Sequence, residues 1–414
     1  MKTLTKYKTI NDPIYGFITI PSKLVFDLME HKYFQRLRRI SQMGFSYIVY
    51  PGAHHTRFHH ALGAMFLMQK AVQVLKSKGV AVSGKEEEAL YLAILLHDIG
   101  HGPFSHAMEN SIVENISHEQ ISLLFMEALN RKFNKQLTLA IQIFKDEHPR
   151  KFLHQLVSGQ LDMDRLDYLK RDSFYTGVPE GTVNAQRLIA MLHVKDDRLV
   201  VEEKGIYSVE NFLVARRLMY WQVYLHKTGI VAEQLLVRVL KRAKQLSAQG
   251  IVLPASNSLR FFLNNNININ DFSEEVLDTF SKLDDYDIIS AMKTWVSNDD
   301  FVLKNLSKML LNRDLLKIKV KPQDFSDQKI DEKRKKLVEK YAISEAEASF
   351  FVFKGKLENQ AYSMEKDTIN LLKKNGKIID VAKASDQLNL EALSKSVVKY
   401  YMCYPKNNKD SYRG

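Results

Sequence analysis

The sequence predicts a mainly α-helical protein with short β-hairpins and a smaller C-terminal region of mixed α/β structure. Three observations carry that reading. Thr56 to Lys78 is apolar at helical spacing, densely enough for a helix buried on most sides. Helix boundaries are marked by Pro21-Ser22, by Pro51-Gly52 and by Gly100, Gly102 and Pro103. Strand-like runs are short: Phe17 to Ile20, Leu199 to Tyr207 and Val397 to Tyr404.

In chain order, Asn11-Asp12-Pro13 reads as a turn leading into the strand Phe17 to Ile20, and Pro21-Ser22 opens a helix. Phe34 to Met43 reads as a basic amphipathic helix, and Pro51-Gly52 breaks the chain before the long helix of Thr56 to Lys78. Glu86-Glu87-Glu88 favour a helix N-terminus, because carboxylates meet the positive end of the dipole. That helix runs to about His97 and stops at the glycines. Further helices are expected over 118–131, 152–158, 161–173, 184–193 and 208–247, with a hairpin over 198–207 turning at Lys204-Gly205. Beyond residue 250 the character changes. Asn264 to Asn270 is a helix end or loop, 313–340 is dense in lysine and arginine, and Val397 to Tyr404 alternates as a strand. The expected division is a catalytic domain over 1–250 and a C-terminal region over 251–414 that packs on it and takes part in oligomerisation.

With 45% apolar and 26% charged residues, the 414-residue chain can bury a sizeable core. A net charge of +12 favours anionic partners such as nucleotides or nucleic acid. The single cysteine, Cys403, excludes an internal disulfide and fits a reducing, cytoplasmic setting. The N-terminus has no apolar stretch of a signal peptide, and the longest apolar run, Ala89 to Leu96, is too short to span a bilayer, so no membrane role is expected.

Histidine is unevenly placed. Of 13 in the chain, His54, His55, His59, His60, His97, His101, His106 and His118 fall within one stretch. A divalent ion can generate hydroxide near neutral pH and polarise a phosphoryl oxygen, and it needs deprotonated ligands converging from several elements. His60, His97, Asp98 and Asp164 supply two imidazoles and two carboxylates, a set suited to iron, manganese or zinc. Adjacent residues on a helix point about 100° apart, so His97 and Asp98 share one ion only near a helix end, which Gly100 and Gly102 provide. His101, His106 and His118 lie close enough in sequence for proton handling, with Glu119 to orient one of them. Arg57 shares a helix face with His60, and Arg165 follows Asp164. Asp164, Tyr168 and Asp172 form one stripe, and Arg216, Tyr220, Tyr224 and Lys227 a second, together fitting an anion that carries a ring and hydroxyls.

These segments resemble the HD-domain phosphohydrolases. Pro51 to His60, His97 to His106 and Asp162 to Tyr168 are similar to the deoxynucleoside triphosphate triphosphohydrolase branch, densely from Lys8 to Ile230. The resemblance implies an HD-domain helical fold and hydrolysis of a dNTP to the deoxynucleoside and tripolyphosphate. It makes His60, His97, Asp98 and Asp164 the metal ligands, with magnesium or manganese accompanying the substrate phosphates. Arg57, Arg165 and Lys227 would hold phosphates. His106 would protonate the 5′ oxygen, supported by His101, His118 and Glu119. Gln42 and Asp172 would meet the 3′-hydroxyl, Tyr168 would pack the sugar, and Tyr224 would leave no room for a 2′-hydroxyl. Lys8, Asn11, Glu30, Gln35 and Arg38 correspond to positions where mammalian members bind an activating guanine nucleotide between subunits, which implies a homo-oligomer, a tetramer. Three positions depart from the mammalian pattern: Glu30 replaces an aspartate, Arg165 a lysine and His59 a glutamate. His54, His55 and His59 carry no assigned role. Two alternatives stand beside this reading. Another HD-type nucleotide phosphohydrolase or phosphodiesterase would share the four ligands. A nucleic-acid-binding protein with a vestigial site would account for the basic composition, above all over 313–340.

Overall fold

The computed structural model describes residues 8–104, 106–109, 111–113, 115–365, 368–385 and 393–406. It opens with a hairpin, β1 (Thr9–Asp12) and β2 (Gly16–Thr19), paired from Thr9↔Thr19 to Asp12↔Gly16. Asn11 and Asp12 therefore end a strand rather than form the turn. Asp12 Oδ1 accepts the Ile14 and Tyr15 amides at 2.9 and 3.0 Å, which moves the turn to the residues that follow. Ser22 caps α1 (Lys23–Glu30) as expected, its hydroxyl accepting the Val25 amide.

The basic helix expected over Phe34 to Met43 is replaced by α2 (Lys32–Gln35) and a 3₁₀ turn, Arg36–Arg39, after which Ile40 is extended and Ser41 bridges Thr56. Tertiary anchors override the amphipathic pattern here. Arg36 is fully buried and donates to the Ile99 carbonyl at 2.9 Å. The long helix α3 (Arg57–Ser77) is buried on most of its faces, and His59 Nδ1 accepts the Thr56 amide at 3.2 Å to close its first turn.

Ser83 and Glu86 cap α4 (Gly84–Leu96), which ends at His97. Next come α5 (His106–Glu109), α6 (His118–Lys132), α7 (Thr138–Phe144), α8 (Lys151–Val157), α9 (Met163–Thr176) and α10 (Ala185–Ala190). The hairpin is β3 (Leu192–Lys195) with β4 (Arg198–Glu202), not one centred on Lys204-Gly205. Asp196 and Asp197 turn it with φ of 51° and 54°, the left-handed pair a two-residue hairpin requires, and Ile206 then begins a helix. The single helix expected over 208–247 divides into α11 (Ile206–Met219), a π turn at Tyr220–Tyr224 and α12 (Lys227–Ala248).

Four more helices follow: α13 (Asn257–Asn264), α14 (Glu274–Phe280), α15 (Asp285–Trp295) and α16 (Phe301–Leu311). The lysine-rich stretch forms β5 (Lys317–Lys321) and α17 (Asp327–Tyr341). After β6 (Phe353–Asn359), β7 (Asn370–Leu372) and β8 (Ile378–Asp380) comes β9 (Val397–Tyr404), the strand expected at those residues. β9 lies between β5 and β6 in an antiparallel sheet, and β7 pairs in parallel with β4. One apolar core runs from Ile18 through the helices to Cys403, so the C-terminal region shares its interior with the rest. No described helix is long and apolar enough to cross a membrane.

Candidate active site

His60 projects from the first turns of α3, His97 from the end of α4 and Asp164 from the first turn of α9. Their tips converge. Asp164 Oδ1 lies 3.0 Å from His60 Nε2 and 3.4 Å from His97 Nε2, and the two imidazole nitrogens are 3.4 Å apart. Donors bound to one ion at about 2.0–2.2 Å lie roughly that far from each other. The remaining ring nitrogens are spent elsewhere. His60 Nδ1–H donates to Asp167 Oδ2 at 2.8 Å, and His97 Nδ1–H to the Ile94 carbonyl at 2.6 Å, which leaves both Nε2 atoms facing the shared point. Asp167 is itself clamped by Arg171, which also reaches Asp12 at 2.8 Å, all three buried. The donor set therefore fits a divalent ion. Asp98 stands beside this group, 3.5 Å from His97 and 3.9 Å from His60, while Arg57 holds its other side.

The ionisation of these groups follows from their packing. Burial opposes charge on His60, but hydrogen bonds to Asp164 and Asp167 outweigh it and raise its pKa to about 10. Burial likewise opposes charge on Asp164, yet His60 and His97 hold it well below the usual carboxylate range. His101 moves the other way. Burial and then the Arg57 guanidinium push it well below the ordinary imidazole value, so it is neutral at pH 7. His101 stacks on His118 with centroids 3.8 Å apart, and its Nε2 is 3.3 Å from Asp98. The carboxylate that orients His118 is Glu109, at 3.0 Å, and not Glu119, which is exposed. The side chain of His106, at the start of α5, lies outside the described residues.

A cavity of about 640 Å³ opens over this cluster, within the roughly 300–1,000 Å³ typical of small-molecule sites. Arg57, Asp98, His101, His118, Asp164 and Arg165 line one part, and Gln42, Tyr168, Asp172, Tyr220 and Tyr224 another. Asp172 is held at both oxygens, by His55 Nε2 at 2.7 Å and by the Tyr224 hydroxyl at 2.7 Å. Burial and then Asp172 push the Tyr224 phenol well above its ordinary value, so it stays a donor. Gln42 Oε1 is buried without a hydrogen-bond partner. Arg216 stands off the cavity wall near Tyr168, with Nε and Nη1 unpartnered, and Lys227 is exposed away from the lining. The π turn breaks the helical stripe expected to carry Lys227, which is why it parts from Tyr220 and Tyr224. Among the N-terminal elements, Gln35 bonds to the Met29 carbonyl at 2.7 Å, next to the exposed Glu30, and Arg38 bonds to Gln35 at 2.9 Å. Lys8 lies 3.7 Å over the Phe26 ring of α1, and Asn11 is exposed on β1.

Several contributors escaped sequence reasoning: Asp167, Glu109, His55 and Asp285. Asp285, on α15, accepts the Ser41 amide at 2.8 Å and the Phe104 amide at 2.9 Å, joining two segments next to the cavity wall. Asp167 alone left a usable signal, since it falls three residues after Asp164 on the same helix.

Against known families, residues 57–172 match the HD domain and residues 183–253 the HD associated region. The chain is 33% identical to an uncharacterized protein, YwfO, of Bacillus subtilis over 75% of this chain and 72% of that one. It is 30% identical to a protein named deoxynucleoside triphosphate triphosphohydrolase SAMHD1 homolog, of Dictyostelium discoideum, over 58% of this chain and only 50% of that one. Among solved structures, a phosphohydrolase from Bacteroides thetaiotaomicron is 53% identical, with a TM-score of 0.93 over 97% of this chain and 100% of that one.

Proposed function

The chain belongs to the HD-domain phosphohydrolase family, and from that premise we propose that it hydrolyses deoxynucleoside triphosphates to the deoxynucleoside and tripolyphosphate. One observation carries the reading: a single cavity joins Asp164 of the two-histidine, one-aspartate cluster and two arginines to a Gln42, Asp172 and Tyr224 group that can meet a sugar. The name of the SAMHD1 relatives is consistent with it.

His60, His97 and Asp164, with Asp98 beside them, would hold a divalent ion, which would supply Lewis acidity toward a phosphoryl oxygen. Arg57 and Arg165 neutralise charge that spreads over the phosphates. In the resting site His101 is neutral because it is buried and, secondly, because Arg57 stands near it. An incoming polyphosphate offsets that positive charge, so His101 can take up a proton, with His118, oriented by Glu109, stacked beside it. His106 remains the proposed acid for the 5′ oxygen. A 3′-hydroxyl can donate to a remaining lone pair of Asp172 and accept from the Gln42 side-chain amide N–H. Tyr168 and Tyr224, in edge contact at 6.0 Å, pack the sugar, and the tied-down Tyr224 ring excludes a 2′-hydroxyl. Lys8, Asn11, Glu30, Gln35 and Arg38 are the proposed effector contacts in a homo-oligomer.

The test is a panel of four dNTPs and four NTPs incubated with metal-loaded protein, with and without added nucleotides, and resolved by anion-exchange chromatography. Tripolyphosphate from dNTPs alone is expected. Stepwise orthophosphate release would assign the cavity to a different HD phosphohydrolase reaction.

A further inference from the structure

A second cavity, of about 370 Å³, opens between α3, α9, α10 and the turn of the N-terminal hairpin, and it shares no lining residue with the catalytic one. Its interior is apolar. Leu67 and Ile189 are buried at its wall, and the rings of Tyr15 and Phe66 stand beside each other with centroids 5.0 Å apart. Two cations complete it. Lys70 Nζ lies 5.3 Å from the Phe66 centroid, and Lys170 Nζ lies 4.8 Å from that of Tyr15.

These cations lack acids. No carboxylate lines the cavity, and among the described residues neither ammonium has an ion pair or hydrogen bond. The nearby carboxylates of Asp12 and Asp167 are taken by Arg171, at 2.8 and 2.9 Å. Lys170 is half-buried, and burial draws its pKa below the ordinary value. Ring stacking supports an exposed ammonium by only about 0.5–1 kcal/mol, so two such groups over adjacent rings at an apolar hole keep most of their affinity for an anion. The location matters for the rest of the molecule. The same hairpin turn carries Asp12, which anchors Arg171 and through it Asp167 and His60.

We propose that this cavity binds a small organic anion, its apolar or aromatic body against Tyr15, Phe66 and Leu67 and its phosphate, sulfonate or carboxylate paired with Lys70 and Lys170. The site is independent of the dNTP reading and distinct from the proposed effector contacts.

The probe is 8-anilino-1-naphthalenesulfonate, titrated by fluorescence into the full metal-loaded chain, with uncharged N-phenyl-1-naphthylamine as its partner. The double variant Lys70→Gln/Lys170→Gln removes both charges at exposed or half-buried positions, and circular dichroism checks its fold. Saturable sulfonate binding is expected, weakened about tenfold or more in the variant while the neutral dye is unaffected. Unchanged sulfonate affinity in the variant, or a neutral dye that binds the native chain as tightly, would overturn the proposal. Competition with phenyl phosphate and with octanoate then separates an aromatic phosphate from an aliphatic carboxylate, and displacement of the dye by neither also overturns it.

Discussion

His60 holds the most informative proton in the molecule. Between Asp164 and Asp167 its pKa is raised to about 10, so in the metal-free protein it is charged at pH 7. An imidazole must be neutral to bind a cation, so metal uptake displaces that proton. The sign follows: apparent metal affinity should rise with pH between about 7 and 10, near tenfold per unit for one proton. Calorimetry at pH 7 in buffers of different ionisation enthalpy should show at least one proton released per ion, since His97 is raised as well, and heats that do not depend on the buffer would contradict it. Asp167→Asn, which weakens the grip on His60 Nδ1, should lower metal affinity about 10–100-fold, measured by competition with a chelator. Tyr224→Ala should keep its metal and admit ribonucleotides. Metal loss in that variant would argue that Tyr224 supports the cluster instead.

Three helices carry the cluster, and the approach of two of them, α3 and α9, depends on one glycine. A Cβ at Gly63 of α3 would collide with the Asp167 carboxylate and the Arg171 guanidinium of α9. Gly63→Ala should therefore cost about 1–3 kcal/mol in urea unfolding and weaken metal binding together, because the pair that must move is the one that holds His60. Loss of stability with unchanged metal affinity would show that the ion pair shifts without carrying His60 along. The π turn at Tyr220–Tyr224 acts at the same scale. It was invisible to periodicity because one extra residue per turn leaves the apolar pattern of α11 and α12 intact on both sides. Long, repeated patterns such as α3 were legible to within a residue, whereas the short 3₁₀ turn at Arg36–Arg39 was not, since a buried arginine answers to distant carbonyls.

At the scale of the whole molecule, the C-terminal region ties down segments beside the cavity. Asp285 bonds to the amides of Ser41 and Phe104, and Leu283 offers its carbonyl to Arg36. Asp285→Ala orphans two amides, each costing about 1–3 kcal/mol, and should lower both the unfolding free energy and the turnover number. Full activity in that variant would mean that the wall holds without its tie. The sequence by itself determined the mainly helical class, the residue types of the metal cluster and the basic, single-cysteine character, because helical periodicity and ligand chemistry are local and can be read within a few residues. Only the tertiary structure decided which groups support that chemistry. Asp167 meets His60 across 107 residues, His55 meets Asp172 across 117 and Asp285 meets Phe104 across 181. A hydrogen bond over such distances leaves no spacing in the chain, since the two partners are brought together by the packing of a shared core.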